Sequence, residues 1–155
     1  MEKIKNKLEK IDKTEKSKLI LVIRISGLVK VNKFIEDTLY KLRLRKKYAA
    51  TIIKPTKDIS GMIEKVKHYV SFGEIEKETL IKLLKARAQR VDKKQFKAEE
   101  AAEELISGKS VNELGFKGFF RLHPPRKGIR SKILARDGGV LGHNQEINQL
   151  VERML

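Results

Sequence analysis

The chain contains no cysteine, which excludes disulfides, thiolate metal sites and cysteine nucleophiles at once. Histidine is scarce: His68, His123 and His143 are the only three, far apart in sequence and without the His-x-x-x-His spacing of a metal site. Long apolar runs are missing too. The longest, Leu19 to Ile23, is much too short to span a bilayer. The opening residues, Met-Glu-Lys-Ile-Lys-Asn-Lys-Leu, hold no apolar signal-peptide core, so a cytoplasmic location is expected. Acid is also absent, locally. Residues 38–57 carry seven basic residues and no acid, and residues 114–136 again carry seven and none. The 36 Lys and Arg outnumber the 20 Asp and Glu to give a net charge of +16, and these two segments hold 14 of that surplus. Two cationic segments on a nearly neutral body are what a polyanionic partner selects.

What is present forms a core. At 155 residues and 40% hydrophobic content, the chain is sized for one domain with appendages. Residues 1–18 alternate Lys and Glu and read as a charged leader with weak helical spacing. Leu19 to Ile25 is rich in branched residues and reads as a buried strand. Phe34, Ile35, Leu39 and Leu42 are expected on one helical face, with Glu36 and Asp37 in the first turn. Ala49 to Lys54 is a second strand, stopped by Pro55. Ile59, Met62, Ile63, Val66 and Val70 then recur with helical period. Leu80, Leu83 and Leu84 predict a third helix. Phe96 with Ala101, Ala102, Leu105 and Ile106 predicts a fourth. Phe119, Phe120 and Leu122 are expected to complete the sheet. Ser71 to Ile75 ranks behind them as a third strand because Gly73 weakens it. A last helix carries Ile147, Leu150, Val151 and Met154, with Asn144 as its expected N-cap.

The expected architecture is α+β, with helices on one face of a small sheet and a helical insertion. The domain reading places the leader at 1–18, a strand-helix-strand-helix core at 19–75 and the insertion at 76–115. Residues 116–155 supply a strand, a basic Pro-Pro arm, a glycine-rich turn and the C-terminal helix.

Motifs for chemistry fail on inspection. Gly108-Lys109-Ser110 suggests a phosphate loop, but Glu103 stands where that loop needs its first glycine and a helical pattern precedes it. Gly138-Gly139-Val140-Leu141-Gly142 falls one residue short of a dinucleotide fingerprint. Glu99, Glu100, Glu103 and Glu104 form the solvated face of a helix. Nothing assembles a nucleophile, a base and an oxyanion hole, so no enzyme activity is expected.

The cationic segments carry the function. Four cations in five residues, Arg43-Leu44-Arg45-Lys46-Lys47, crowd the end of the first helix, more than its dipole requires. After Pro124-Pro125 come Arg126, Lys127, Arg130, Lys132 and Arg136 with no acid before Asp137. This arm is expected to be extended, mobile in the free protein and ordered on RNA, its arginines gripping phosphates two bonds at a time.

Several stretches together resemble a known family. Leu42-Arg43-Leu44, Gly61 to Val70, Phe72-Gly73-Glu74-Ile75, Phe120 to Arg126 and Gly138 to Gly142 with Ile147, Leu150 and Met154 are similar to the archaeal large-subunit ribosomal protein family numbered thirty. That family is related to a longer eukaryotic protein numbered seven. The resemblance runs from about residue 19 to the end. It implies a ferredoxin-like core, a three-stranded antiparallel sheet with two helices, plus extra archaeal helices. It also implies a structural role in translation, on the ribosomal RNA of the large (50S) subunit. The chain departs from the family pattern at Ser26, where Arg is frequent, and at Phe72, where Trp is common.

The partners implied are large-subunit ribosomal RNA (23S, with 5S as a candidate neighbour) and adjacent ribosomal proteins, with no membrane, small-molecule substrate, cofactor or metal. Candidate RNA-binding residues in the first half are Arg24, Lys30, Lys33, Lys41, Arg43, Arg45, Lys46, Lys47, Lys67 and His68. In the second half they are Arg121, His123, Arg126, Lys127, Arg130, Lys132 and Arg136. The alternative reading is a general RNA- or DNA-binding regulator outside the ribosome.

Overall fold

Side-chain alternation along one strand organises the protein. In β1, Ile20–Arg24, successive side chains leave opposite faces. Leu21, Ile23 and the following Ile25 enter one core, while Ile20 and Val22 enter another. A sheet that is apolar on both faces must be covered on both. The computed structural model, which describes residues 18–92 and 95–155, shows this arrangement. The expected leader lies outside the described residues except for Lys18.

After β1 come α1 (Lys33–Lys41), β2 (Ala49–Ile53), α2 (Lys57–Val66), β3 (Val70–Glu74), α3 (Lys77–Arg87) and α4 (Ala98–Ile106). The two-residue β4 (Phe120–Arg121), a 3-10 turn at Ala135–Asp137, β5 (Gly142–His143) and α5 (Ile147–Glu152) complete the order. The sheet runs β4-β2-β1-β3-β5. β2 and β3 flank β1 and are antiparallel to it, β4 adds antiparallel to β2, and β5 adds parallel to β3. The result is a ferredoxin-like α+β fold whose antiparallel centre gains one parallel edge strand. Helices α1 and α2 pack on one face through Leu39, Leu42, Ile63 and Val66. The insertion and the C-terminal helix take the other through Leu80, Leu84, Ala102, Leu105, Ile147 and Val151. The expectation of helices on a single face is therefore corrected.

Local sequence explains the element ends. Asn32 caps α1 by accepting from the Phe34 amide at 3.0 Å, and Thr56 caps α2 through the Ile59 amide. Helix α2 stops at Val66, so Val70 opens β3 instead of extending the helical stripe. The Tyr69 carbonyl accepts from the amides of Ile25 and Ser26, drawing the chain into the sheet. Phe96 precedes α4 and meets Phe116 edge-on at 4.7 Å. Asn144 lies two residues before the α5 cap position and accepts from the Glu146 amide at 2.9 Å, so it shapes the approach to the helix.

The strand ranked lower is a central one. β3 pairs with β1 along five residues, while the favoured Phe120 segment contributes only a short edge. Gly73, which weakens the sequence signal, is required by packing. A Cβ there would collide with the Asn144 carbonyl and lie 2.9 Å from Ile147 Cγ2. The glycine lets the C-terminal segment touch the sheet.

The registers also fix where the loops emerge. Arg24 opposes Val70, Ile23 opposes Ala50, Ala49 opposes Arg121 and Ser71 opposes Gly142. β1 and β4 therefore end, and β2, β3 and β5 begin, at the same end of the sheet. The connections 25–32, 42–48, 67–69 and 122–141 all open there.

Two glycine substitutions test this packing in opposite directions. Gly73→Ala should lower stability in a urea melt by about 1–3 kcal/mol through overpacking. Gly61→Ala, in mid-helix with open space around it, should raise stability by about 0.5–1 kcal/mol. Stabilisation by both would show that α5 does not approach β3 so closely.

Candidate nucleic-acid interface

The cationic end is built around a residue that is itself inaccessible. Arg24 has no exposed surface. Its Nε donates to the Ser26 carbonyl at 2.9 Å and its Nη2 to Gly27 at 3.2 Å. Its Nη1 reaches Leu44 at 2.7 Å and Arg45 at 3.1 Å. Burial pushes its pKa down from the ordinary value, while the nearby Glu36 and Tyr40 act in the opposite sense. The Arg24 guanidinium, a candidate RNA contact by sequence, is thus turned into the protein and bonded to backbone. It ties the 25–27 and 44–45 loops to the end of β1.

The loop it holds is strained. Leu44 donates to the Leu39 carbonyl and Arg43 to Tyr40, each at 2.9 Å, closing α1 with a paired C-terminal motif. The left-handed residue of that motif is Arg43, at φ 61°, where glycine is usual, and Tyr48 is left-handed again at φ 63°. Each costs about 1–2 kcal/mol relative to ordinary backbone. Strain of this kind collects at sites that must display particular side chains.

Between these two residues and the β4 edge lies a cleft of about 580 Å³, lined by Arg43, Arg45, Lys46, Lys47, Tyr48, Ala49, Phe119, Arg121 and Leu122. Its lining has five cations and no acid. Three of those cations rest on rings: Arg45 over Tyr40 at 5.3 Å, Lys47 over Tyr48 at 4.9 Å and Arg121 over Phe119 at 5.7 Å. Arg43 also donates to Asn112 Oδ1 at 3.0 Å, which joins the cleft to the insertion.

The other candidates occupy the same end or its approaches. Lys30 and Lys33 are exposed on the loop after β1 and at the start of α1, and Lys41 is exposed in the last turn of that helix. His68 is exposed before β3, and Lys67 beside it pairs with Glu64. Among the described residues, the only other candidate in an ion pair is Arg136, with Asp137 at 3.6 Å. The insertion differs: Lys77, Lys85, Lys97 and Lys109 all pair with glutamates. Among the described residues, ion pairs with glutamate gather on the helical side, and most candidates at the sheet end have none.

The Pro-Pro arm departs from expectation. It folds back on its own domain. Pro125 is buried, the exposed His123 donates its amide to the Met154 carbonyl at 2.9 Å, and the Arg126 amide donates to Arg153 at 2.9 Å. The Arg153 guanidinium returns the contact, donating to the Arg126 carbonyl from Nε at 3.1 Å and Nη2 at 3.0 Å, and to the Gly128 carbonyl. Arg126, Lys127, Arg130 and Lys132 keep their side chains exposed or half-exposed on this clasped arm. Arg153 and Asn112 were not legible in the sequence, because their partners lie far along the chain and one of them is backbone. Phe119 carried only a strand signal.

Comparison with known proteins bears on most of the chain. The family model described as "Ribosomal protein L30p/L7e" matches residues 20–70. The large ribosomal subunit protein uL30 of Nanoarchaeum equitans is 41% identical over 153 residues, covering 88% of this chain and 99% of the relative. The proteins of that name from Archaeoglobus fulgidus and Aeropyrum pernix are 38% and 39% identical, each again covering 88% of this chain and 99% of the relative.

The clasp yields a direct expectation. Arg153→Ala removes charge-assisted bonds worth about 1.5–3 kcal/mol apiece. Trypsin should then cut the free protein at Arg126, Lys127 or Arg130 roughly tenfold faster or more. An unchanged cutting rate would mean that the arm opens without passing through this contact.

Proposed function

Because the chain belongs to the ribosomal protein L30p/L7e family, we propose that its cationic sheet end is the surface that grips large-subunit ribosomal RNA. The protein is a structural constituent of the large ribosomal subunit, at work on cytoplasmic ribosomes in translation. Its role is to neutralise phosphate and fit the shape of folded RNA, with neighbouring ribosomal proteins around it. The contacts run to 23S RNA, with 5S RNA nearby, and the chain performs no catalysis. Nothing in the relatives favours a regulator outside the ribosome.

One observation carries this reading: a strained loop presents four cations, joined by Arg121 of β4, in an acid-free cleft. Cations held in place before binding lose little side-chain freedom on contact, and each phosphate they neutralise releases counterions. The flanking rings of Tyr48 and Phe119 add flat surfaces suited to sugar or base. The clasped arm extends the same cationic surface with Arg126, Lys127 and Arg130. Lys30, Lys33, Lys41, Lys67 and His68 border it on the other side.

The test is salt dependence. Arg45→Ala, Lys46→Ala and Lys47→Ala together should reduce the slope of log affinity for ribosomal RNA against log salt by roughly two to three units. The melting of the free protein should hardly change, because exposed charges add little stability. A triple variant that binds with the parental slope would sink the assignment of this cleft.

A further inference from the structure

The loop that follows β1 carries an apolar surface that neither core explains. Val29 is 87% exposed, Phe34 81% and Leu28 44%, all within seven residues. Helix geometry accounts for Phe34: Ile35, Leu39 and Leu42 point to the core, and a residue one position before Ile35 is rotated about 100° away from that face. Phe34 therefore leaves the expected apolar stripe, although its amide is fixed by the Asn32 cap. Val29 is turned outward in a tight turn, in which the Val31 amide donates to Leu28 and Lys30 is left-handed at φ 58°. The base of the loop is rigid, because Arg24 holds the carbonyls of Ser26 and Gly27.

The charges around these side chains select the occupant. In sequence Lys30 and Lys33 stand between them, and on α1 the exposed Asp37 lies one turn from Phe34 as the acid on that face. The patch continues from the acid-free sheet end. An exposed ring and a branched aliphatic group flanked by two ammonium groups suit a flat, neutral base whose two phosphates lie to either side. Paired bases in an A-form helix do not offer that face to a side chain, so the base must be unpaired. We infer that Phe34 and Val29, with Lys30 and Lys33, form a seat for an unpaired nucleotide of large-subunit ribosomal RNA. This rests on the reading that the sheet end meets that RNA, and it adds a stacked base to a surface otherwise made of phosphate contacts.

The chain has no tryptophan, so Phe34→Trp introduces a single indole at the seat. The full chain is titrated with large-subunit ribosomal RNA freed of protein, and binding is followed separately by anisotropy of labelled RNA. The expected result is quenching of the indole fluorescence in step with binding. Phe34→Ala should weaken binding roughly 5- to 150-fold with an unchanged salt slope, since no phosphate contact is lost. Phe34→Tyr should bind like the parent, which separates loss of the ring from damage to the helix. Binding by anisotropy with the F34W indole unquenched and Phe34→Ala at parental affinity would overturn the seat while leaving the cationic cleft intact. That outcome would assign the patch to an apolar protein segment instead. Failure of the parent chain itself to bind the RNA would overturn both readings.

Discussion

A guanidinium that cannot reach solvent, Arg24, sets the geometry of the cationic end. Four carbonyls from two loops converge on it, and no carboxylate lies within ion-pair distance among the described residues. Carbonyls turned inward at a sheet end must be paired or they destabilise the fold. Only a planar group with five donors answers them together; a lysine has a single ammonium on a flexible stem. The last residue of β1 thus converts the rigidity of a buried strand into the placement of both the 25–27 turn and the basic loop.

From that anchor follows a division of labour. Two apolar cores, one on each face of the sheet, supply the folding free energy, and the lysines of the insertion face are balanced by glutamates. The sheet end is left unbalanced, with like charges crowded on a left-handed loop and a clasped arm. Mutual repulsion and backbone strain there are tolerated because the central strands lock the ends of the loops. Ring contacts under Arg45, Lys47 and Arg121 and the Arg153 clasp keep the cations in place without cancelling their charge. Polyanion binding then needs little rearrangement of the protein.

Much of this was legible in the sequence. The branched run at Leu19 to Ile25 gave β1, the period of Ile59, Met62, Ile63 and Val66 gave α2, and the two acid-free segments located the cationic surface. The failures share a cause: periodicity reports which residues are apolar, and says little about what approaches them. Gly73 looked like a weak point because its neighbour, the C-terminal segment, is about seventy residues away. Phe34 looked like core because one residue of helical rotation separates a packed ring from an exposed one. The burial of Arg24 was not legible because nothing local shows that backbone carbonyls will surround it. The arm looked free because the residue that clasps it, Arg153, sits at the end of a helix whose own pattern predicts only packing.

The central claim is that Arg24 works by holding the protein together and not by touching RNA. A urea melt of Arg24→Lys tests it most directly, since the charge is kept and the fork of donors is lost. The account predicts a loss of about 2–4 kcal/mol, as several inward carbonyls lose their partners. Stability within about 0.5 kcal/mol of the parent, the behaviour of an exposed phosphate-binding side chain, would contradict it.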